Sequence, residues 1–277
     1  MSFPSSYALR FIFFLFCAAT ITVPMSPAIA QSQSRDDVIT IGTFKGIIGS
    51  LIYMAQMQGY FSEMGLKVEV NDYQAGKFSV DKLLTGEIHM AAASDFVFAR
   101  QSFARPDLRI LASICEADTN FMIARSDRGI KKPSDIAGKK VGLTMGSVSE
   151  FFLGDFLAAH GLSFKDIEIV NARPPQIVEQ MINGTLDAAL TWAYYVFEIK
   201  QALGKKVATW SVEQDQSLYF LLFTTEKWLK ENQTAADKVM RALAKSDDYL
   251  QSQPDDAKME IQRKFKYSNA YMNYDWP

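Results

Sequence analysis

The sequence is poor in the residues that carry covalent and metal chemistry. Among 277 residues there are two cysteines and two histidines. His89 and His160 stand far apart, neither near Cys115, and neither has a second histidine at metal-ligand spacing. No Gly-x-Ser-x-Gly elbow, Walker loop or His-Glu-x-x-His helix occurs. A hydrolase, nucleotide-dependent enzyme or zinc enzyme is therefore not expected, and neither is a cofactor or metal.

A surplus of positive charge is also lacking: 29 Lys and Arg stand against 31 Asp and Glu. Nothing in that balance points to nucleic acid or to an anionic membrane surface. Nor is there an apolar run of the roughly 20 residues that a spanning helix needs. The candidate, Phe11 to Val23 behind Arg10, holds 13 residues and gives way to Pro24, Ser26, Pro27 and the triplet Ala28-Ile29-Ala30. A short apolar core behind a positive charge and before small residues reads as a secretory signal peptide over 1–30, cleaved after Ala30. Phe16 is too bulky for a lipoprotein cleavage site before Cys17. Cleavage leaves 247 residues with a net charge near −3, since Arg10 is the one charge removed. It also leaves Cys115 as the single cysteine, so no intramolecular disulfide is available and an apolar core must hold the fold. Cys115 closes the apolar run from Leu108 and reads as a small buried hydrophobe.

What is present is an internal repeat. Gly65-Leu66, then Val68-Glu69-Val70-Asn71, an amphipathic stretch, and Thr85-Gly86-Glu87-Ile88-His89-Met90-Ala91 answer to Gly161-Leu162, Ile167-Glu168-Ile169-Val170-Asn171, a second amphipathic stretch, and Gly184-Thr185-Leu186-Asp187-Ala188-Ala189. Each block reads as strand, helix, Gly turn, strand, the pattern of a βαβ unit. Each is preceded by a further strand and helix: Val38–Ile41 and Leu51–Tyr60 in one, Lys139–Leu143 and Ser149–His160 in the other. Between the halves Leu108–Cys115 and Phe121–Arg125 read as strands, and after them Leu218–Thr225 is a strand and Thr234–Leu250 a helix. The expectation is α/β: two lobes, each a mixed sheet flanked by helices, joined by two hinge crossings. The boundaries are 31–118 for the first part of lobe I, 119–216 for lobe II, and 217–277 for a return to lobe I.

These motifs in this order resemble the periplasmic substrate-binding proteins of nitrate, sulfonate and taurine ABC importers, whose fold also covers thiamine-pyrimidine binders. The resemblance spans most of residues 37–250. It is carried by Gln58-Gly59-Tyr60-Phe61 with Gly65-Leu66, by Leu84-Thr85-Gly86-Glu87-Ile88, by Lys132-Pro133-Ser134-Asp135-Ile136-Ala137-Gly138-Lys139-Lys140-Val141, by Gly146-Ser147, and by Gly184-Thr185-Leu186-Asp187-Ala188 leading to Trp192. It implies a periplasmic-binding-protein-like fold, a small-molecule ligand held between the lobes, and as partners a permease with its ATPase. It also implies a soluble monomer and no catalysis. A ligand-sensing domain reporting to a receptor fits the same sequence.

The turns after the first strands supply a chemistry for the ligand. Gly42 to Ser50 and Thr144 to Glu150 place small and hydroxyl residues at helix starts, where amides and the helix dipole favour an anion. In open α/β sheets such turns, beyond the carboxyl ends of the strands, are where ligands sit. Gly146, Ser147 and Ser149 are therefore candidates, with ordinary capping as the alternative for the serines. Ser79, in the turn Gly76-Lys77-Phe78-Ser79 that borders the cleft in related proteins, is another, again as ligand contact or cap. Ser94 and Asp95 after one repeat strand, and Thr191, Trp192 and Tyr194 after the other, should meet at the cleft. Phe44 and Lys45 are lid candidates. A sulfonate, nitrate or carboxylate suits the helix starts, whereas Phe44, Trp192 and Tyr194 also suit a pyrimidine or other planar compound. His89 stands where relatives commonly carry Asp; the expectation is an effect on packing at the strand start, not on binding. The chain ends at Tyr274-Asp275-Trp276-Pro277, where relatives usually continue into a helical segment on the first lobe.

Overall fold

The computed structural model describes residues 38–213 and 217–276. The expected signal peptide and its cleavage site lie outside the described residues. Ten strands and eleven helices alternate in the first half as β1 (Val38–Phe44), α1 (Ser50–Met57), α2 (Tyr60–Glu63), β2 (Lys67–Tyr73), α3 (Gly76–Leu84), β3 (Met90–Ser94), α4 (Asp95–Ser102) and β4 (Leu108–Ala117) among the described residues. The chain continues as β5 (Asn120–Arg125), β6 (Lys140–Leu143), α5 (Val148–Ala159), β7 (Glu168–Asn171), α6 (Pro174–Asn183), β8 (Ala188–Trp192), α7 (Ala193–Leu203) and β9 (Val207–Ser211). It closes with β10 (Leu218–Thr225), α8 (Glu226–Glu231), α9 (Gln233–Ser252), α10 (Pro254–Phe265) and α11 (Asn269–Asp275).

The strands form two five-stranded sheets with one shared plan. The first is ordered β2-β1-β3-β10-β4 and the second β7-β6-β8-β5-β9. In the first, β1 runs parallel to β2 and β3, and β10 runs antiparallel to β3 and β4. In the second, β6 runs parallel to β7 and β8, and β5 antiparallel to β8 and β9. Both sheets are therefore mixed. The antiparallel member of each follows a crossing: the chain leaves the first sheet from β4 into β5 and returns from β9 into β10.

The strand sequences follow from this layering. β3 (Met-Ala-Ala-Ala-Ser) and β8 (Ala-Ala-Leu-Thr-Trp) are buried along their whole length, because helices cover both faces of a central strand. The outer strands β2 and β7 have no fully buried residue. Helix α9 keeps Ala236, Val239, Ala242, Leu243 and Ser246 buried at three- and four-residue spacing, a stripe that packs on α1 and α2. Burial of one Leu or Ile of this kind contributes about 1.5–3 kcal/mol, so the two layered cores can hold the lobes without a disulfide.

The first crossing is fastened where it enters the second sheet. One carboxylate oxygen of the buried Glu213 accepts hydrogen bonds from the Thr119 amide (3.1 Å), the Asn120 amide (2.7 Å) and the Asn120 side chain. The last helices do not stay on the first sheet: α10 lies on α1 and α9, but α11 lies on α7 of the second. Aromatic rings fill the join. Tyr53 meets Phe265 at 4.8 Å between centroids, and Tyr194 meets Tyr267 at 5.2 Å and Tyr271 at 5.1 Å. The C-terminal segment is thus a further link between the two sheets.

Candidate functional site

Phe44, Ser94 and Trp192 are the last residues of β1, β3 and β8, so the strand ends deliver them to one place between the sheets. There they line one narrow cavity. From the first sheet's side come Phe44, Ile48, Gly76, Lys77, Ser94 and Val97; from the second come Ser147, Val148 and Trp192. Thr119 of the first crossing and Leu218 and Phe220 of β10 complete it. This is the position that open α/β sheets reserve for ligands.

The two lobes touch around the cavity. The Phe44 and Trp192 rings stand 5.7 Å apart, tilted by 52°, and Phe96 meets Phe151 at 5.4 Å. Arg100 on α4 donates to Glu150 on α5 at 2.9 Å, and the Arg173 guanidinium lies 5.5 Å from the centre of the Phe78 ring. Contacts of this kind, each with one partner per lobe, belong to a closed state.

Three helix starts meet at the cavity: α3 at Gly76 and Lys77, α4 at Ser94, and α5 at Ser147 and Val148. At α4 and α5 side chains cap the amides from within the chain, whereas α3 has no side-chain cap. Ser94 Oγ accepts from the Val97 amide, Ser147 Oγ accepts from the Ser149 amide and donates to the Thr144 carbonyl, and Glu150 accepts from the Gly146 amide at 2.7 Å. The dipoles still favour negative charge in the cavity, but the serine hydroxyls act here as caps.

Several sequence-based candidates lie elsewhere. Ser79 is fully buried and donates to the carbonyls of Gly76 and Ala92, because α3 begins at Gly76, a turn earlier than its apolar pattern indicated; Ser79 then faces the sheet. Lys45 points to solvent. Asp95 caps the Phe96 amide and lines a neighbouring hollow beside Phe151. Gly146 borders the stem of Lys77 without lining the cavity. Ser149 and Thr191 are buried, their hydroxyls without a hydrogen-bond partner and outside the lining. Tyr194, already on α7, stacks on Tyr267 and Tyr271 of the C-terminal segment as well as packing beside Trp192 and Tyr195, and does not line the cavity.

Sequence reasoning missed Lys77, the charged side chain among the described residues that line the cavity. It lay in a turn already singled out, two residues from the serine chosen. Ile48, Val97, Leu218 and Phe220 carried no signal that set them apart from core residues. A larger hollow lies behind the first crossing, but the ionisable groups in its lining besides Cys115 and Tyr274 are the carboxyls of Glu116, Asp118 and Asp275, which disfavours an anion. Cys115 lines that hollow too. Burial, with Glu116 and Asp275 adding to it, pushes its thiol up to about 11, so it is not a nucleophile at neutral pH.

The profile of the family described as NMT1/THI5 like matches residues 50–257. The chain belongs to this family. Among its relatives is YtlA of Bacillus subtilis, which carries a provisional description as a binding protein: 23% identical over 232 residues, 81% of this chain and 69% of that protein. The taurine-binding periplasmic protein of Escherichia coli is 26% identical over 143 residues, half of this chain and 44% of its own length. Among solved structures, the alkanesulfonate-binding protein SsuA from Xanthomonas axonopodis pv. citri, bound to MOPS, superposes with a TM-score of 0.71 at 18% identity, covering 86% of this chain and 82% of that one. The fold is that of these binding proteins: two mixed sheets flanked by helices.

Proposed function

We propose that this protein is the solute-binding component of an ABC-type importer, working in the periplasm, and that it holds a small anion in the cavity between its lobes. The observation that carries this reading is the cavity itself, with Phe44, Ser94 and Lys77 from one lobe opposed to Ser147 and Trp192 from the other. A solute bridging both sides stabilises the closed state by its differential affinity for it, and closure creates the composite surface that a permease can read. The family membership and the sulfonate- and taurine-binding functions named for its relatives support an oxyanion as solute. The reading assigns no catalysis to the chain. A soluble monomer delivering solute to a permease and its ATPase is the corresponding partner scheme.

Thermal-shift and calorimetric screening of the purified protein against aliphatic sulfonates, nitrate, aromatic acids and pyrimidines tests the reading. An anion that raises the melting temperature and binds in the micromolar range is the expected result. Trp192→Ala should weaken that hit at least tenfold, because it removes the second lobe's aromatic wall. Unchanged affinity in this variant would remove the cavity from the site, and binding of a pyrimidine alone would redirect the reading to a neutral planar solute.

A further inference from the structure

The lining of the cavity says more about the solute than that it is small and anionic. Seven of its described side chains are apolar: Phe44, Ile48, Val97, Val148 and Trp192 around the walls, with Leu218 and Phe220 on the floor. Against them stands the single ammonium of Lys77. Such a lining desolvates whatever it encloses. An apolar body gains from this, a second charged group on the solute loses its hydration without a matching partner, and an ammonium group would also meet the like charge of Lys77.

Lys77 is held so that its charge can turn inward. It is the second residue of α3, and its stem lies directly on Gly146 across the lobe boundary: a Cβ built on Gly146 would come within 2.9 Å of Lys77 Cε. Its ammonium stands 5.5 Å from the Phe78 ring centre and is paired with Asp81 one turn along the helix at 2.7 Å. The Asp81 side chain keeps 45% of its surface exposed. A half-exposed pair of this spacing is weak, so exchanging Asp81 for a solute anion inside the cavity costs little, and the bond gained there is charge-assisted and shielded from water. The close contact of the lysine stem with Gly146 also ties that exchange to lobe closure, since Gly146 belongs to the second lobe.

We propose that Lys77 is the specificity-determining residue of the cavity, and that with the apolar walls it selects solutes with one anionic head and an uncharged apolar body, such as alkyl or aryl sulfonates and carboxylates, over zwitterions and inorganic anions. The proposal rests on the reading of this cavity as the solute site.

The test is isothermal titration of the purified protein, and of Lys77→Met and Lys77→Arg, with 1-pentanesulfonate, hexanoate, taurine, nitrate, neutral 1-pentanesulfonamide and a hydroxymethylpyrimidine. For the native protein, pentanesulfonate or hexanoate should bind at least tenfold more tightly than taurine and nitrate; the difference between the two shows which head the site prefers. Lys77→Met should lose at least tenfold toward the anion that binds, while its affinity for the sulfonamide stays within about threefold and its melting temperature holds. Lys77→Arg should recover most of the loss. Taurine or nitrate binding as tightly as the apolar-bodied anions overturns the proposal, as does anion affinity unchanged in Lys77→Met. Binding of the pyrimidine with none of the anions overturns it too, while leaving the solute-receptor reading intact. Binding of no member of the panel to a cooperatively melting protein removes both.

Discussion

The two lobes are built to one plan and differ in how they carry it out. Position by position the correspondence is close. In the second sheet Asp187, at the approach to β8, donates its amide to the Lys140 carbonyl and accepts the Lys140 amide on its side chain, both at 3.0 Å. In the first sheet His89, at the approach to β3, donates its amide to the Thr40 carbonyl and accepts the Thr40 amide on Nδ1, also both at 3.0 Å. An imidazole nitrogen thus does the work of a carboxylate: it satisfies an amide of the neighbouring strand. Each version has a further polar partner: the Arg128 guanidinium at 3.0 Å for Asp187 and the Thr40 hydroxyl at 2.9 Å for His89 Nδ1. Burial works against ionisation of Asp187, yet the Lys140 amide and Arg128 hold its carboxyl below the usual range. The histidine ring also lies 5.8 Å from the Trp228 ring. What is shared between the lobes is a backbone requirement, and side chains of different chemistry can meet it.

The largest expected difference between the lobes concerns the glycines of their first strands. Gly42 in β1 and Gly142 in β6 both lie beneath the aliphatic residue two positions before the neighbouring parallel strand, Ile88 and Leu186 respectively. A methyl on Gly42 would meet Ile88 at 2.6 Å and both Ser79 and Tyr73 at 2.9 Å, whereas one on Gly142 would overlap chiefly a terminal methyl of Leu186. Three walls cannot all yield, while one side chain can rotate. Gly42→Ala should therefore cost about 3 kcal/mol and Gly142→Ala about 1 kcal/mol, measured by urea denaturation. Equal costs would mean that the first sheet is no more tightly packed at this point than the second.

A second asymmetry is the fastening of the crossing, which comes from the second lobe's side. Burial pushes the Glu213 carboxyl up to about 7, against the pull of its bonds from Asn120 and Thr119 and with Asp118 adding a further push upward. A carboxyl whose folded value is raised binds more protons in the folded state than in the unfolded one. Stability should then fall as pH rises from about 4.5 to about 7 and level off above that. Glu213→Gln keeps an acceptor for the Thr119 and Asn120 amides. It should flatten this dependence and gain about 2 kcal/mol at pH 8 relative to the native protein. A native stability that rises over the same pH window would refute the assignment to Glu213.

The smallest effect tests the exchange of His89 for a carboxylate. His89→Ala leaves the Thr40 amide short of one acceptor and should cost about 1 kcal/mol, a drop of about 2–4 °C in melting temperature for a chain of this size. His89→Asp, copying the second lobe, should lose less than half of that. An aspartate no better than alanine would show that the ring's packing on Trp228, and not its hydrogen bond, is what the first lobe needs.

The repeat, the strand-helix alternation and the two crossings were legible because hydrophobic periodicity and Gly turns are local signals. The mixed character of the sheets follows from them, since a strand reached by a crossing must return against its neighbours. The site was only half legible. Phe44, Ser94, Ser147 and Trp192 sit at strand ends and helix starts that the pattern locates, and they line the cavity. Lys77 and Ser79 share one short motif, and which of them reaches the cavity depends on where α3 begins. A shift of one helical turn in that boundary, beyond the resolution of sequence periodicity, exchanges them.

The sequence by itself determined the two-sheet plan and the small-residue turns at the helix starts, because each depends on residue type and spacing along a single segment. Tertiary structure alone decided that Leu218 and Phe220 floor the cavity, that the C-terminal helix lies on the second lobe, and that Lys77 meets Gly146. These are contacts between segments far apart in the chain, set by how two separately layered sheets close on one another, and no local pattern encodes that geometry.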